Sequence, residues 1–134
     1  MQFRTKARAV DLLGKGQIAD LPTAISELWK NGFDAYADDL ELIFYTQGYE
    51  DVKSNFIVLS DDGKGMSKDD IEEKWLILGT DSKSRNKKPE KGPDTLWKDP
   101  RPIMGEKGIG RLSVSYLGSP MLMLSKKIGS PLQA

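Results

Sequence analysis

Three polar side chains, those of Glu27, Asn31 and Asp34, follow one another at steps of four and three residues. On a helix, at about 100° per residue, they fall within an arc of roughly 60°. A carboxamide oxygen can bind a hard cation, and a carboxylate one turn away can orient or deprotonate a water molecule. The spacing is therefore compatible with metal-assisted hydrolysis. Two other interpretations stay open, a solvated polar face and a structural Asp34 that pairs with Lys64.

A second candidate residue, Asp61, opens the sequence DDGKGM directly after an apolar run. Folds that combine helices and strands commonly place ligand loops at such strand ends. Gly63 and Gly65 permit a tight turn and leave a flat surface without side chains. The Asp61 carboxylate can accept a hydrogen bond from an exocyclic amine such as adenine N6. An Asp-Gly pair after a strand is more often an ordinary turn, so this motif alone favours that interpretation over a ligand site.

A third motif, GEKGIG, begins at Gly105 and opens a predicted helix. Glycines there let consecutive backbone N–H groups point at an anion, and the helix dipole and Lys107 add positive charge. The motif is not a P-loop, because no Gly-Lys-Ser/Thr follows at the required spacing. It is not a dinucleotide fingerprint either, because no βαβ unit surrounds it. A single glycine-rich turn remains weak evidence by itself.

The composition narrows the chemistry. The chain has 134 residues, 20 basic and 20 acidic, with no Cys and no His. Within this chain, disulfides, thiol nucleophiles, Cys/His zinc sites and imidazole bases are therefore excluded. The zero net charge provides no general attraction for nucleic acid or an anionic membrane. With no apolar run long enough to span a bilayer and no signal peptide, we expect a cytoplasmic location.

The hydrophobic pattern predicts the elements that must position these residues. Helices are predicted over 21–37, 67–78 and about 109–117. Strands are predicted over 40–45, 55–60 and 121–124, the second being the more buried. Between Asp81 and Met104 the composition changes to Lys, Arg, Pro, Gly and Asp with little periodicity, which is typical of a long mobile loop. A chain of this length predicts one domain.

In their order and spacing, the three motifs together resemble those of the GHKL ATPase superfamily. Its members include gyrase B subunits, heat-shock chaperones of the ninety-kilodalton class, histidine kinases and MutL, with MORC-type ATPases close by. The motifs E-x-x-x-N-x-x-D-A, D-x-G-x-G and G-x-x-G-x-G correspond here to Glu27, Asn31, Asp34 and Ala35, to Asp61, Gly63 and Gly65, and to Gly105, Gly108 and Gly110. The segment GTDSKS at 79–84 resembles the GT-x-x-KS segment of the chaperones. These sequences look most similar to chaperone-like or MORC-like bacterial ATPases.

The resemblance implies an α+β Bergerat-type fold: a two-layer sandwich with helices on one face of a mixed, mostly antiparallel sheet. It implies one domain over 1–134 that lacks the family's last strands, with an ATP lid at 81–104 and with ATP and Mg²⁺ as cofactors. Glu27 would be the water-activating base, Asn31 the Mg²⁺ ligand and Asp61 the adenine reader. The other implied nucleotide contacts are Asp34 and Ala35 in the pocket wall, Gly63, Gly65 and Met66 at the base, and Lys83, Lys107, Gly108, Ile109 and Gly110 at the phosphates.

The implied function is Mg²⁺-dependent ATP hydrolysis that drives lid closure and conformational switching of a larger protein. A homodimer of that protein is a further expectation, and neither a membrane nor a nucleic-acid partner is indicated. Glu27 favours hydrolysis over phosphorelay, because histidine kinases do not need a water-activating glutamate and this chain has no His. Two alternatives stay open: a non-catalytic nucleotide-binding interaction module, and a kinase-type phosphoryl donor that acts on a His-bearing partner.

Overall fold

The structure, a computed structural model, describes residues 18, 20–75, 90–105, 113, 114 and 116–134. It has an α+β architecture, and its principal elements are helix α1 (Leu21–Asp34) and strands β1 (Leu40–Tyr45) and β2 (Phe56–Asp61). All three were predicted from the hydrophobic pattern. The first strand has the predicted bounds, the second is shifted by one residue, and the helix ends three residues early. Among the described residues, no helix is long and apolar enough to cross a membrane.

Helix α1 is delimited at both ends by local interactions. At its start the Asp20 carboxylate accepts a hydrogen bond from the Thr23 backbone N–H at 2.8 Å, which satisfies one of the unpaired donors of the first turn. At its end the Ala35 N–H bonds back to the Asn31 carbonyl at 2.9 Å, and Tyr36 takes a left-handed conformation with φ 64°. Glycine usually occupies that position after a helix, so a tyrosine there did not indicate the early end.

The two strands form an antiparallel pair in which Leu40 lies opposite Asp61 and Tyr45 opposite Phe56. The last turn of α1 lies against this sheet at Gly32, where a Cβ atom would collide with Leu40 and come within 3.3 Å of the Asp61 Cβ. A glycine therefore allows the helix to approach the strand end that carries Asp61. The expectation that β2 is the more buried strand is wrong, since four of the six residues of β1 but three of the six of β2 are partly buried and the others are exposed.

The predicted helix over 67–78 begins at Ser67, as expected. Its hydroxyl accepts a hydrogen bond from the Asp70 backbone N–H at 3.2 Å, and the Asp70 carboxylate accepts one from the Ser67 N–H at 3.1 Å. From Asp70 to Trp75 the turn is π-helical, and residues 76–78 lie outside the described residues. Of the predicted helix over 109–117, residues 113, 114, 116 and 117 are described, and they are helical.

The predicted strand over 121–124 is wrong. Leu122 is 77% exposed and Leu124 60% exposed, and the segment is not extended into a ladder. The nearest pairing is a single antiparallel bridge in which Ser125 and Gln133 exchange backbone hydrogen bonds of 3.0 and 2.8 Å. Within the part of the chain that the structure describes, no strand lies beside 121–124 to satisfy its backbone, and an apolar sequence cannot supply that partner by itself.

The C-terminal segment instead packs on the loop that follows β2. The Met66 N–H donates to the Ser125 hydroxyl at 2.8 Å, and Lys127 Nζ donates to the Asp70 carboxylate at 2.9 Å. Hydrogen bonds from Lys74, Lys127 and Ser67 hold the pKa of the Asp70 carboxyl well below its usual range. Because an ionised Asp70 accepts hydrogen bonds from both lysines, it links the C-terminal segment to the π-helical turn of Asp70–Trp75 at neutral pH.

Replacing Gly65 with alanine should lower the free energy of unfolding by about 2–4 kcal/mol, measured by urea denaturation. Gly65 has φ +64°, and a Cβ there would collide with the backbone carbonyl of Lys126. Gly129→Ala is the matched control, because Gly129 has φ +80° but nothing within 4 Å of an added Cβ. The control should lose only about 1–2 kcal/mol from backbone strain. Equal losses in the two variants would contradict close packing of the C-terminal segment on this loop.

Residues 98–105, here called the strap, are anchored to the end of α1. Lys98 Nζ donates to the Tyr36 carbonyl at 2.7 Å, and Arg101 Nη1 donates to the Ala37 carbonyl at 2.6 Å. Both cations also pair with Asp38, at 2.7 and 3.0 Å, and the hydrogen bond from Lys98, assisted by Arg101, lowers the pKa of that carboxyl. The composition of 81–104 did not indicate this anchoring, and residues 81–89 of that segment lie outside the described residues.

Candidate functional site

Glu27 lies in the middle of α1 and is only 7% exposed. One oxygen, Oε1, accepts a hydrogen bond from Lys30 Nζ at 2.5 Å. The other oxygen, Oε2, is buried and accepts no hydrogen bond from the described residues. Buried carboxylate oxygens are normally hydrogen-bonded, so Oε2 is an acceptor that fits a water molecule or a donor on a bound molecule. The interpretation of this helix as an ordinary solvated face is therefore wrong at Glu27.

Asn31 follows Glu27 by one helical turn and is exposed to solvent. Its carboxamide oxygen faces the backbone of Gly105, where an added Cβ would lie 3.7 Å from Asn31 Oδ1 and 2.9 Å from Asp34 Oδ2. A side chain at position 105 would therefore collide with Asp34 Oδ2 and come into ordinary contact with Asn31 Oδ1. The first residue of the glycine-rich motif lies directly beside the polar face of α1, although the two are far apart in sequence.

Asp34 holds this arrangement in place. Its Oδ1 accepts a hydrogen bond from the Met104 backbone N–H at 2.8 Å, and its Oδ2 accepts one from the Gly105 N–H at 2.9 Å. The alternative in which Asp34 pairs with Lys64 is wrong: among the described residues no ion pair joins the two side chains, and both Asp34 oxygens accept from the strap backbone.

The Asp61 loop meets α1 at Ala35. A Cβ on Gly63 would lie 2.8 Å from the Ala35 Cβ, so the loop approaches the helix end as closely as a glycine allows. Asp61 Oδ1 accepts a hydrogen bond from the Gly63 N–H at 2.9 Å, which is an ordinary Asp-x-Gly turn. Asp61 Oδ2 accepts no hydrogen bond from the described residues, and the side chain is exposed in a shallow depression. The depression is lined by Asp39, Leu40, Glu41, Ser60, Asp61 and Asp62.

The last turn of α1 thus joins two clusters of the predicted site residues. One consists of Asn31, Asp34 and Gly105; the other consists of Ala35, Asp61 and Gly63. The two remaining residues of the second motif, Gly65 and Met66, face the C-terminal segment at Lys126 and Ser125. The predicted phosphate contacts Lys83, Lys107, Gly108, Ile109 and Gly110 lie outside the described residues.

Several residues that shape this region were missed from the sequence. Arg101 packs its guanidinium 5.0 Å from the Phe33 ring centroid and 5.5 Å from that of Tyr36, in addition to its contacts with Ala37 and Asp38. The available signal was the spacing of the basic residues Lys98 and Arg101, whose acidic partner Asp38 lies sixty or more residues earlier.

The side chains that could supply oxygen ligands determine which kind of metal site this region can form. Among the described residues, no group of three or more acidic side chains could hold a metal ion. Mg²⁺ is usually bound through one or two protein oxygens together with substrate phosphates and water, not by a cage of side chains. A single exposed carboxamide at Asn31, with the buried Glu27 carboxylate one turn away, fits that pattern.

A family model described as "Histidine kinase-, DNA gyrase B-, and HSP90-like ATPase" matches residues 19–133. No curated protein and no solved structure matches the chain. The matched region includes α1, the Asp61 loop and the glycine-rich motif, so it contains every residue of the two clusters.

Proposed function

The chain belongs to the family of histidine kinase-, DNA gyrase B- and HSP90-like ATPases, and from this premise we propose that it binds ATP with Mg²⁺ and hydrolyses it. The observation that carries the proposal is the Glu27 carboxylate, buried with one oxygen unpartnered among the described residues, one turn from an exposed Asn31. A base next to a cation ligand is the arrangement that water-dependent phosphoryl transfer requires.

In this proposal the nucleotide lies along the last two turns of α1. Its adenine would meet Asp61, whose Oδ2 can accept the N6 amine while Oδ1 keeps the Gly63 N–H. Its phosphates would lie near Asn31 and Gly105, and Asn31 Oδ1 would bind the cation. Mg²⁺, when bound, neutralises charge on the phosphates and orients them. The predicted phosphate contacts at Lys83 and at 107–110 belong to the same proposal.

Glu27 would act on the attacking water. Lys30 holds Oε1 at 2.5 Å, which fixes the carboxylate orientation and leaves Oε2 to accept the proton of the water. Burial limits competing hydrogen bonds from solvent, so a water molecule placed at Oε2 would be well oriented. The absence of any His in the chain favours water over an imidazole of the same chain as the phosphoryl acceptor.

The finer part of the proposal is that 81–104 acts as an ATP lid, and that lid closure switches the conformation of a larger chaperone-like or MORC-like protein. Its support is the anchoring of the strap to the end of α1 through Lys98 and Arg101. Such an anchor would give the preceding part of the lid a fixed base at the end of α1. Domain motions of this kind commonly set the turnover of nucleotide-driven enzymes.

Isothermal titration calorimetry with ATP and ADP, each with and without Mg²⁺, tests the proposal. We expect one nucleotide per chain, with ATP affinity rising when Mg²⁺ is added, and weaker binding of GTP because its O6 is an acceptor opposite the Asp61 carboxylate. An Asn31→Ala variant should lose most of the Mg²⁺ effect while still binding adenosine. Failure of the parent chain to bind either adenine nucleotide would refute the proposal.

A second candidate function, a nucleotide-binding module without turnover, has one observation in its favour. The backbone at Gly65 and Met66, expected to line the base pocket, is in contact with Lys126 and Ser125 of the C-terminal segment. That contact narrows the space available at the base. This candidate predicts ATP binding by calorimetry and no phosphate release over hours in the same buffer, whereas phosphate release that depends on Glu27 would eliminate it.

A further inference from the structure

Both oxygens of the Asp34 carboxylate are used by backbone groups. Oδ1 receives the Met104 N–H at 2.8 Å and Oδ2 the Gly105 N–H at 2.9 Å, so one side chain fixes two successive peptide groups across a separation of about seventy residues. Hydrogen bonds to an ionised acceptor are about twice as strong as neutral ones. This pair of bonds is therefore a strong restraint on where the strap ends.

The restraint acts at a specific place. Gly105 lies against Asn31 Oδ1, and an added Cβ would come within 3.7 Å of that oxygen and 2.9 Å of Asp34 Oδ2. At its other end the strap is held by Lys98, which donates to the Tyr36 carbonyl at 2.7 Å, and next by Arg101, which donates to the Ala37 carbonyl at 2.6 Å. With both ends held, the backbone that approaches Asn31 has little freedom to move away from α1.

We propose that Asp34 is a positioning residue for the phosphate end of the nucleotide site. It sets the distance between the Gly105 backbone and Asn31 and does not contact the nucleotide itself. The inference rests on the proposed function, because it assigns to Asn31 the cation and phosphate end of a bound nucleotide. It replaces the expectation that Asp34 is part of the pocket wall, since both of its oxygens are already occupied by the chain.

The charge of Asp34 and its hydrogen bonds predict opposite effects of its removal on phosphate affinity. A carboxylate near bound phosphates repels them, so neutralising Asp34 by itself would raise phosphate affinity. Loss of the two backbone hydrogen bonds would lower it, because an amide side chain has a single oxygen acceptor and its NH₂ group would face one of the two N–H donors. A contact between Asp34 and the base or sugar would instead weaken adenosine and ADP to the same extent.

The experiment compares Asp34→Asn with the parent chain in two measurements. Amide hydrogen exchange without nucleotide should show protection at Met104 and Gly105 falling by about tenfold or more, while amides in the middle of α1 keep theirs. Calorimetry should show ADP affinity in Mg²⁺ falling by about tenfold, with adenosine affinity unchanged within about twofold. Asp20→Ala is the control, because Asp20 caps the other end of the same helix and its loss weakens α1 without touching the strap.

Each other outcome counts against the proposal in a recognisable way. Unchanged protection at Met104 and Gly105 would show that Asp34 does not hold the strap. A rise in ADP affinity would show that Asp34 acts through its charge alone. An equal fall in the affinities for adenosine and ADP would show that Asp34 belongs to the pocket wall. If Asp20→Ala lowered the ratio of ADP affinity to adenosine affinity as much as Asp34→Asn, the effect would be a general loss of helix stability. If the parent chain bound neither adenosine nor ADP, the proposed function would fail, and with it the role of Asp34 in nucleotide binding. The exchange data would still show whether Asp34 holds the strap.

Discussion

Replacing Glu27 with glutamine should lower the rate of ATP hydrolysis by about 10²–10⁴-fold and leave ATP affinity nearly unchanged. Glutamine keeps the size of the side chain and an oxygen that can accept from Lys30, but it cannot take a proton from water. The buried position, 7% exposed, favours this isosteric change over alanine, which would leave a cavity in α1. Phosphate release under saturating Mg²⁺·ATP and calorimetry of ATP binding measure the two quantities separately.

Lys30→Gln is the matched control for that experiment. It removes the 2.5 Å ion pair between Lys30 and Glu27 by changing the cation, and it leaves the Glu27 carboxylate in place. If Glu27 is the base, hydrolysis should persist in the Lys30 variant and be lost in the Glu27 variant. Equal loss in both would mean that the ion pair, and not the carboxylate, is what hydrolysis requires. Hydrolysis at the parent rate in Glu27→Gln would remove Glu27 from the mechanism.

Elements defined by local sequence were predictable. The spacing of apolar residues gave α1 and both strands within one to three residues, because hydrophobic periodicity and capping act within a few positions of each other. The two errors have different causes. The end of α1 depends on a left-handed conformation at Tyr36, which tyrosine seldom adopts, and the apolar stretch at 121–124 lacks the non-local partner, a neighbouring strand among the described residues, that would make it a strand. Neither feature has a signature in the sequence nearby.

The candidate site divides in the same way. Glu27, Asn31 and Asp34 could be placed on one helical face from their spacing, and Asp61 at a strand end from the pattern around it. The sequence could not show that Asp34 binds the backbone at Met104 and Gly105, since backbone N–H groups are present at almost every residue. The anchor made by Arg101 was hidden for a related reason: its acceptors include main-chain carbonyls, which carry no residue identity.

The last turn of α1 connects the two ends of the proposed nucleotide site. Gly32 allows the Asp61 Cβ to approach, Ala35 contacts Gly63, and Asp34 holds Gly105. Different side chains act at the base end and at the phosphate end, so we expect local variants at each end to have separable effects. The nucleotide preference of an Asp61 variant therefore tests the proposed role of Asp61. A residue that reads the base should alter which nucleotide binds and not how the phosphates are held.

Asp61→Asn should weaken ATP binding by about 10–100-fold and shift the preference toward ITP, in which the 6-amino group is replaced by a carbonyl. Asparagine can keep its oxygen on the Gly63 N–H, at 2.9 Å from Asp61 Oδ1 in the parent, and then presents NH₂ where Oδ2 was. That NH₂ opposes the adenine amine and matches the 6-carbonyl of ITP. Competition titrations with ATP and ITP measure the ratio directly.

The neighbouring carboxylate provides the control for this last experiment. Asp62 Oδ1 accepts the backbone N–H groups of Asp38 and Asp39 at 2.8 and 2.9 Å, so Asp62→Asn disturbs the same loop by a similar chemical change. It should lower ATP and ITP affinity together, if at all, because it offers no group to the base. A shift toward ITP in Asp61→Asn that is absent from Asp62→Asn would identify Asp61 as the residue that reads position 6. If the ratio of the two affinities stayed the same in both variants, adenine recognition would have to lie elsewhere on the chain.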